Sequence, residues 1–312
     1  MIEQPAAVEQ TYVPVGPDEA RILARFGISA SALLGSGGEA RIFALDDERV
    51  LRVQAPGEAE PDRELADLLD SWTGIDLGFG LPVVLSQARL GSQNYSIERR
   101  LPGVPLAQWL AGTADDERRR RGLLSLLDAA GRLRELPLRR AGFGRVLGDP
   151  RGFGSLTELL VAQIEVGLRF SDGLLAHAVS DLDGRVGDLL ARLSARRVVP
   201  AYCHGDLAPA NVMVDADGQV TAVLDFSVHA LAADPVLDQV GAVAFLEMTP
   251  YRGNVADASW LQDQLIGRLG AEAWLINAYR RFYALYYAMD HALIPWCAEQ
   301  LLAPEVEPSE GC

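Results

Sequence analysis

Along the first hundred residues the apolar positions change their period. In PDEARILARFG, Pro17 to Gly27, the residues Ala20, Ile22, Leu23 and Phe26 recur at helical spacing and predict a helix. From LLGSGGEARIFALDDERVLRVQ onward, short apolar runs alternate with turn residues. They predict strand, glycine-lined turn, strand, a turn at Asp46 and Asp47, and strand. A charged helix is expected around Pro61 to Trp72, with two further strands at Leu81 to Ser86 and Gln93 to Glu98. LPGVP, Leu101 to Pro105, reads as a linker.

Beyond that linker the period is helical. Helices are predicted at Leu106 to Ala111, Asp115 to Arg134, Leu156 to Phe170, Leu174 to Ala195, Val236 to Glu247, Ala256 to Arg268, Glu272 to Met289 and Ile294 to Leu302. One stretch between the fourth and fifth breaks the pattern with a strand, a loop and a hairpin around DADGQ. The fold class is therefore α+β, with a small β-rich part over 1–100 and a larger, mostly helical part over 101–312. The closing APEVEPSEGC is expected to be disordered because it combines Pro with Glu.

Composition narrows the function classes. With 312 residues, 49% of them hydrophobic, the chain can bury a substantial core. The opening MIEQPAAVEQ has no basic stretch leading into an apolar one, and the longest apolar runs, such as VGAVAFL from Val240 to Leu246, are too short to span a bilayer. No membrane partner is expected. Three scattered cysteines, Cys203, Cys297 and Cys312, give neither a disulfide framework nor a zinc spacing, which fits a reducing cytoplasm. A formal charge of −15 opposes binding to nucleic acid. The dense basic run ERRRRG, Glu117 to Gly122, reads as a solvated helix face beside Asp115 and Asp116. All 28 basic residues are Arg.

The stretch that breaks the helical pattern carries the chemistry. YCHGDLAPANVMVDADGQVTAVLDFS, Tyr202 to Ser227, sets His204, Asp206 and Asn211 in one loop and Asp225 at the end of the following hairpin. Phosphoryl transfer from a nucleotide needs a group to orient and deprotonate the acceptor hydroxyl, and oxygen ligands for Mg²⁺. The kinase catalytic loop places His, Asp and Asn at these offsets, with a metal-binding Asp after a short hairpin. Where that loop has Arg, this chain has Gly205.

HGDLAPAN resembles the HGDxxxxN loop of the aminoglycoside phosphotransferase and choline kinase family. The glycine-lined hairpin, VLRV, LDF and ADPVLDQVG, similar to the family's GDPxxDLA, follow in the family's order over most of the chain. The resemblance implies a two-lobed protein-kinase-like fold with a nucleotide-binding N-lobe. It implies Asp206 as catalytic base, His204 as organiser of the loop, and Asn211 and Asp225 as Mg²⁺ ligands. In GSGGEA, Gly35 and Gly37 match the phosphate-covering turn, while Ala40 replaces its last glycine. Arg52 stands where the phosphate-binding Lys is usual, with Glu64 as its expected partner and Glu58 and Glu60 less well placed. The hinge that reads adenine corresponds to IERRLPG, which makes Glu98 and Arg100 nucleotide-binding candidates. Asp234 and Asp238 are expected as structural anchors.

The implied reaction is transfer from ATP or GTP, with Mg²⁺, to a hydroxyl of a small molecule. The interval between Asp225 and Asp238 is too short for a protein kinase's activation loop, and no APE motif follows. Tyr279, Tyr283, Tyr286, Tyr287, Asp290, His291 and Trp296 lie together in sequence; they form an acceptor wall suited to a cationic or sugar-like ligand, or an aromatic stripe in the core. Tyr287 and Asp290 are the acceptor-binding candidates. Aminoglycoside, macrolide, choline, amino alcohol and sugar all stay open as acceptors. A nucleotide-binding pseudokinase is the alternative, on account of Arg52, Ala40 and Ser227. Isolated His177, His229 and His291 have no metal spacing and are expected at helix surfaces or in the core, and GFGSL lacks the nucleophile elbow of a serine hydrolase.

Overall fold

The computed structural model describes residues 16–36, 40–56, 63–149 and 151–304. The acidic tail, Glu58, Glu60 and the turn residue Gly37 lie outside them. The chain divides into two units, Met1–Ser71 with Pro82–Leu101, and Trp72–Leu81 with Pro102–Cys312.

In the first unit, helix α1 (Pro17–Phe26) is followed by strands β1 (Leu33–Ser36), β2 (Ala40–Ala44) and β3 (Arg49–Gln54), helix α2 (Arg63–Ser71), and strands β4 (Val84–Leu90) and β5 (Gln93–Arg99). The five strands form one antiparallel sheet in the order β1-β2-β3-β5-β4. Alternation along β3 turns Leu51 and Val53 towards α1, where they meet Ile22, Leu23, Phe43 and Tyr95. α1 ends at Gly27, whose φ of +65° favours glycine. A buried Glu19 on α1 takes the Arg41 guanidinium of β2 at 2.6 Å, so the helix is tied to the sheet by a paired charge as well as by apolar area. β4 begins three residues later than the sequence predicts, after Pro82, which cannot donate to a ladder.

The second unit opens with β6 (Val104–Pro105), helices α3 (Leu106–Gly112) and α4 (Asp116–Arg132), β7 (Gly144–Arg145), and helices α5 (Leu156–Phe170), α6 (Leu174–Ala178) and α7 (Leu182–Ser194). Strands β8 (Ala201–Cys203), β9 (Val212–Val214), β10 (Val220–Val223) and β11 (Leu231–Ala233) come next. Helices α8 (Val236–Met248), α9 (Asn254–Leu269), α10 (Trp274–Tyr286) and α11 (Ile294–Leu302) complete it. α8 is apolar on nearly every face, from Val236 to Leu246, because α4, α9 and α10 surround it. Two three-stranded sheets, β10-β9-β6 and β7-β11-β8, carry the loop of interest between them.

Three expectations change. LPGVP is not only a linker: Val104 and Pro105 pair with Val214 and Met213 as an edge strand too short to show any period. The helix expected over Leu174 to Ala195 is broken at Val179 to Asp181, where Asp181 takes a left-handed φ of +53°. The Arg run on α4 is not wholly solvated, since Arg119 is buried and paired with Asp257, and its guanidinium also donates to the Leu110 and Thr113 carbonyls.

Candidate active site

β8 delivers the chain into the loop, and the loop's backbone is fixed by a buried carboxylate. Asp238, in the first turn of α8 and 1% exposed, accepts from the His204 amide at 2.6 Å and from the Gly205 amide at 2.9 Å. Burial pushes the Asp238 carboxyl above its usual range, and the two amides oppose that shift. Gly205 sits at φ +77°, and a Cβ there would strike the carbonyl oxygen of His229. Only glycine meets both demands.

His204 is fully buried, edge-on to Phe226. Its Nε2 lies 2.8 Å from the Leu224 carbonyl, and its Nδ1 accepts from the Asp206 amide at 3.3 Å. A carbonyl can only accept and an amide N–H only donate, so the ring is the neutral tautomer with its proton on Nε2. The imidazole thereby ties the loop to the residue just before Asp225.

The Asp206 side chain is half-buried, with each carboxylate oxygen held separately. The Tyr287 hydroxyl donates to Oδ1 at 3.2 Å, while Asn211 Nδ2 lies 3.4 Å from Oδ2. Tyr287 also reaches the Gly205 carbonyl at 3.1 Å, and Asn211 Nδ2 the Asp206 carbonyl at 3.0 Å. Burial and the adjacent Asp206 carboxylate push the Tyr287 phenol well up, so it remains a donor at neutral pH. The Leu224 amide donates to the Asn211 carbonyl at 2.7 Å and draws Asp225 towards the loop. Asp225 is one of three non-glycine residues with positive φ among the described residues, at +62°. Holding an Asp in that region costs about 1 kcal/mol, a strain found where a side chain is being aimed.

Asp234, fully buried, caps the approach to α8 through the Val236 amide at 3.1 Å, takes the Tyr279 hydroxyl at 2.6 Å and pairs with Arg196. Both carboxylates of ADPVLDQ thus act on backbone and buried partners. Asp290 is exposed and caps the turn at His291 to Leu293 through the Ala292 amide at 3.0 Å. Tyr287 is directed at the loop itself. His229, expected at a helix surface or in the core, lies instead on the loop between β10 and β11. Its Nδ1 is 2.9 Å from the Tyr286 hydroxyl and its ring stacks on Tyr287 at 5.9 Å. No local pattern announces that placement; its position four residues after Asp225 is the only signal.

The nucleotide candidates of the first unit fall on its sheet and helix. Arg52 stands opposite Ile42 on one side and Ser96 on the other, and Val50 opposite Glu98, so Arg52, Ser96 and Glu98 share the sheet face away from Leu51 and Val53. Ser96 Oγ donates to Glu98 at 2.6 Å. Gly35 lies exposed in β1 beside an irregularity in the β1–β2 ladder. Glu64 is exposed in the first turn of α2, and Arg100 bonds to the Asp46 carbonyl at 3.2 Å.

A model of the phosphotransferase enzyme family matches residues 32–285. The chain belongs to this family. It is a phosphotransferase, and the span matched includes every residue of the loop, the hairpin and Asp225. Among solved structures, a thermostable mutant of aminoglycoside phosphotransferase APH(4)-Ia is 21% identical, with 90% of this chain and 95% of that one covered and a TM-score of 0.58. The GDP complex of wild-type aminoglycoside 2'-phosphotransferase-IIIa is 18% identical over 90% and 95% of the two chains, with a TM-score of 0.57. APH(3'')-Id from Streptomyces rimosus, in complex with ADP and streptomycin, is 20% identical over 86% and 97%, with a TM-score of 0.52. These likenesses show that the phosphotransferase has the α+β, protein-kinase-like fold. No curated protein matches it in sequence. Among the described residues no helix is long and apolar enough to cross a membrane.

Proposed function

We propose that the chain transfers the γ-phosphoryl group of ATP or GTP to a hydroxyl of a small molecule, an aminoglycoside-like compound or a related metabolite. The observation that carries this reading is the Asp206 carboxylate, fixed at both oxygens in a loop whose backbone is itself clamped by Asp238. A half-buried carboxylate with fixed orientation suits the task of aligning a hydroxyl and taking its proton. Relatives bound to ADP with streptomycin and to GDP with kanamycin support a nucleotide and a small hydroxylated acceptor.

The oxygen donors fit Mg²⁺. Asn211 commits its Nδ2 to the Asp206 carbonyl, which leaves Oδ1 as the ligating end, and Asp225 contributes a carboxylate. Among the described residues no group of three or more His, Cys, Asp or Glu could hold a metal ion by itself, so a Mg²⁺ here would need the nucleotide's phosphates as further ligands. Once bound, Mg²⁺ neutralises charge on the transferring phosphoryl. On the nucleotide side, Arg52 would contact phosphate, supported by Glu64, and the Gly35 turn with Gly37 would cover it. The hinge around Glu98 and Arg100 would meet the base through its backbone.

Tyr287 is a positioning residue in this scheme. Tyr287→Phe removes one hydrogen bond to the base, and kcat is expected to fall roughly 3- to 10-fold with the nucleotide KM unchanged. Steady-state kinetics at saturating acceptor read the split. The function as a whole is tested by Mg²⁺-dependent ADP or GDP release across aminoglycosides, macrolides, amino alcohols, choline and sugars. Acceptor-stimulated release that Asp206→Ala lacks is the expected result; nucleotide binding without release on any acceptor overturns it in favour of a pseudokinase.

A further inference from the structure

Tyr287 reaches the Asp206 carboxylate from a point where its own helix has ended. α10 closes at Tyr286, and Tyr287 opens the single 3-10 turn that follows, Tyr287–Met289. Helix ends fray, so the direction of a side chain just past one is set by what packs against it. Phe245 of α8 and Tyr286 meet the Tyr287 ring edge-on, at 5.4 and 5.1 Å between centroids, and Tyr283 lies tilted at 6.1 Å. Those three rings belong to α8 and α10. A fourth, His229, comes from the loop that leaves Asp225 and lies on Tyr287 at 22° from parallel and 5.9 Å, within the range where offset aromatic rings attract.

His229 is itself fixed at its backbone and at its ring. Its amide donates to Ser227 Oγ at 3.3 Å. The next residue, fully buried Ala230, donates to the Ser227 carbonyl at 3.0 Å and accepts from the Val146 amide at 2.8 Å. The His229 carbonyl oxygen fills the space that a Cβ on Gly205 would need, so the residue sits directly against the backbone that precedes Asp206. At the ring, Nδ1 lies 2.9 Å from the Tyr286 hydroxyl, which has no other hydrogen-bond partner among the described residues. Tyr286 is buried and stacks on Phe282 at 6.0 Å, 4° from parallel. Leaving its hydroxyl unpaired would be costly, so the bond to Nδ1 persists and sets the rotation of the imidazole.

The contacts run in one order. Phe282 holds Tyr286, Tyr286 holds His229, and His229 lies on Tyr287, whose hydroxyl donates to Asp206 Oδ1 at 3.2 Å. Resting on the phosphotransfer reading above, we infer that His229 is a positioning residue of the reaction: its ring, anchored on Tyr286, keeps the Tyr287 hydroxyl on the Asp206 carboxylate. The loop that would bring Asp225 to Mg²⁺ thus also bears on the base.

A double-mutant cycle tests this on the acceptor that gives the fastest nucleotide release among the aminoglycosides, macrolides, amino alcohols, choline and sugars named above. Wild type, His229→Ala, Tyr287→Phe and the double variant are compared for kcat, both KM values and melting temperature. His229→Ala is expected to lower kcat about 2- to 10-fold, the worth of one aromatic pair, with acceptor and nucleotide KM unchanged. In the Tyr287→Phe background the same substitution is expected to leave kcat where Tyr287→Phe alone puts it, because the hydroxyl being positioned is gone. His229→Phe, which keeps a ring over Tyr287 and loses Nδ1, falls between His229→Ala and wild type. Should His229→Ala not fold, Tyr286→Phe, which releases Nδ1 alone, enters the same cycle with the same expectation. A residue that merely fills space gives losses that multiply in the double variant, or a change confined to melting temperature; either result overturns the role, as does a loss carried by acceptor KM or a His229→Phe variant as slow as His229→Ala. Acceptor-stimulated release that His229→Ala leaves unchanged overturns the role and leaves the phosphotransfer reading standing. No acceptor-stimulated release by wild type overturns that reading, and the role with it.

Discussion

Asp206→Ala is expected to lower turnover by about 100- to 10,000-fold, the range lost when a positioned general base is removed, and to leave nucleotide affinity unchanged. The basis is a division of labour in the loop. Its backbone is held by Asp238 through the His204 and Gly205 amides, and by His204 through the Asp206 amide. None of these bonds uses the Asp206 carboxylate. Among the described residues that group has only Tyr287 and Asn211 as side-chain partners, and both retain a second bond, to the Gly205 and Asp206 carbonyls. Truncation therefore removes the proposed proton acceptor and leaves the scaffold. Asp206→Asn separates chemistry from shape, since the amide keeps the volume and loses the basicity; it is expected to be as inactive as the Ala variant. Release assays at saturating acceptor, set beside calorimetric titration with Mg²⁺ and nucleotide, read the two quantities independently. Activity retained in the Asn variant would show that the carboxylate takes no proton.

The loop is legible in the sequence because its chemistry is local: His204, Asp206 and Asn211 lie within eight positions, and a hairpin of fixed length brings Asp225 back to Asn211. Long apolar periods are legible for a similar reason. α5 and α11 fall on their predicted limits because one helical face of each packs on the core. What holds the loop in place is harder to read. Tyr287 reaches Asp206 across 81 positions, and within the tyrosine run nothing separates it from Tyr279 or Tyr283, which are buried against Asp234 and the Leu237 carbonyl. Arg196 finds Asp234 across 38 positions, and Arg145 meets Gln163 across an irregular segment. The strands β6, β7 and β11 are two or three residues long, below the length at which alternation can be recognised. Composition misleads in one place, where the charge of the Arg run on α4 predicts a solvated face; Asp257, far along the chain, makes burial of Arg119 tolerable.

Gly205→Arg, which restores the residue usual at this offset in protein kinases, is expected to cost both fold and activity. A side chain at φ +77° carries roughly 1–2 kcal/mol of backbone strain. The Cβ collides with the His229 carbonyl, a backbone atom that cannot rotate away, and overpacking of this kind adds roughly 1–3 kcal/mol. Relaxation is expensive too: the Gly205 amide donates to Asp238 and its carbonyl accepts from Tyr287, so a shift of the loop exposes a buried carboxylate and releases the positioning tyrosine. A loss near 2–5 kcal/mol is a large part of the 5–15 kcal/mol that holds an ordinary domain. Gly205→Ala isolates the cause, because it carries the φ and the Cβ without the bulk. Since the clash is made by the first carbon, Ala should account for most of the fall in melting temperature and turnover. A neutral Ala variant would instead place the whole effect in the length of the Arg side chain, and the loop would then owe its glycine to space beyond Cβ and not to its backbone.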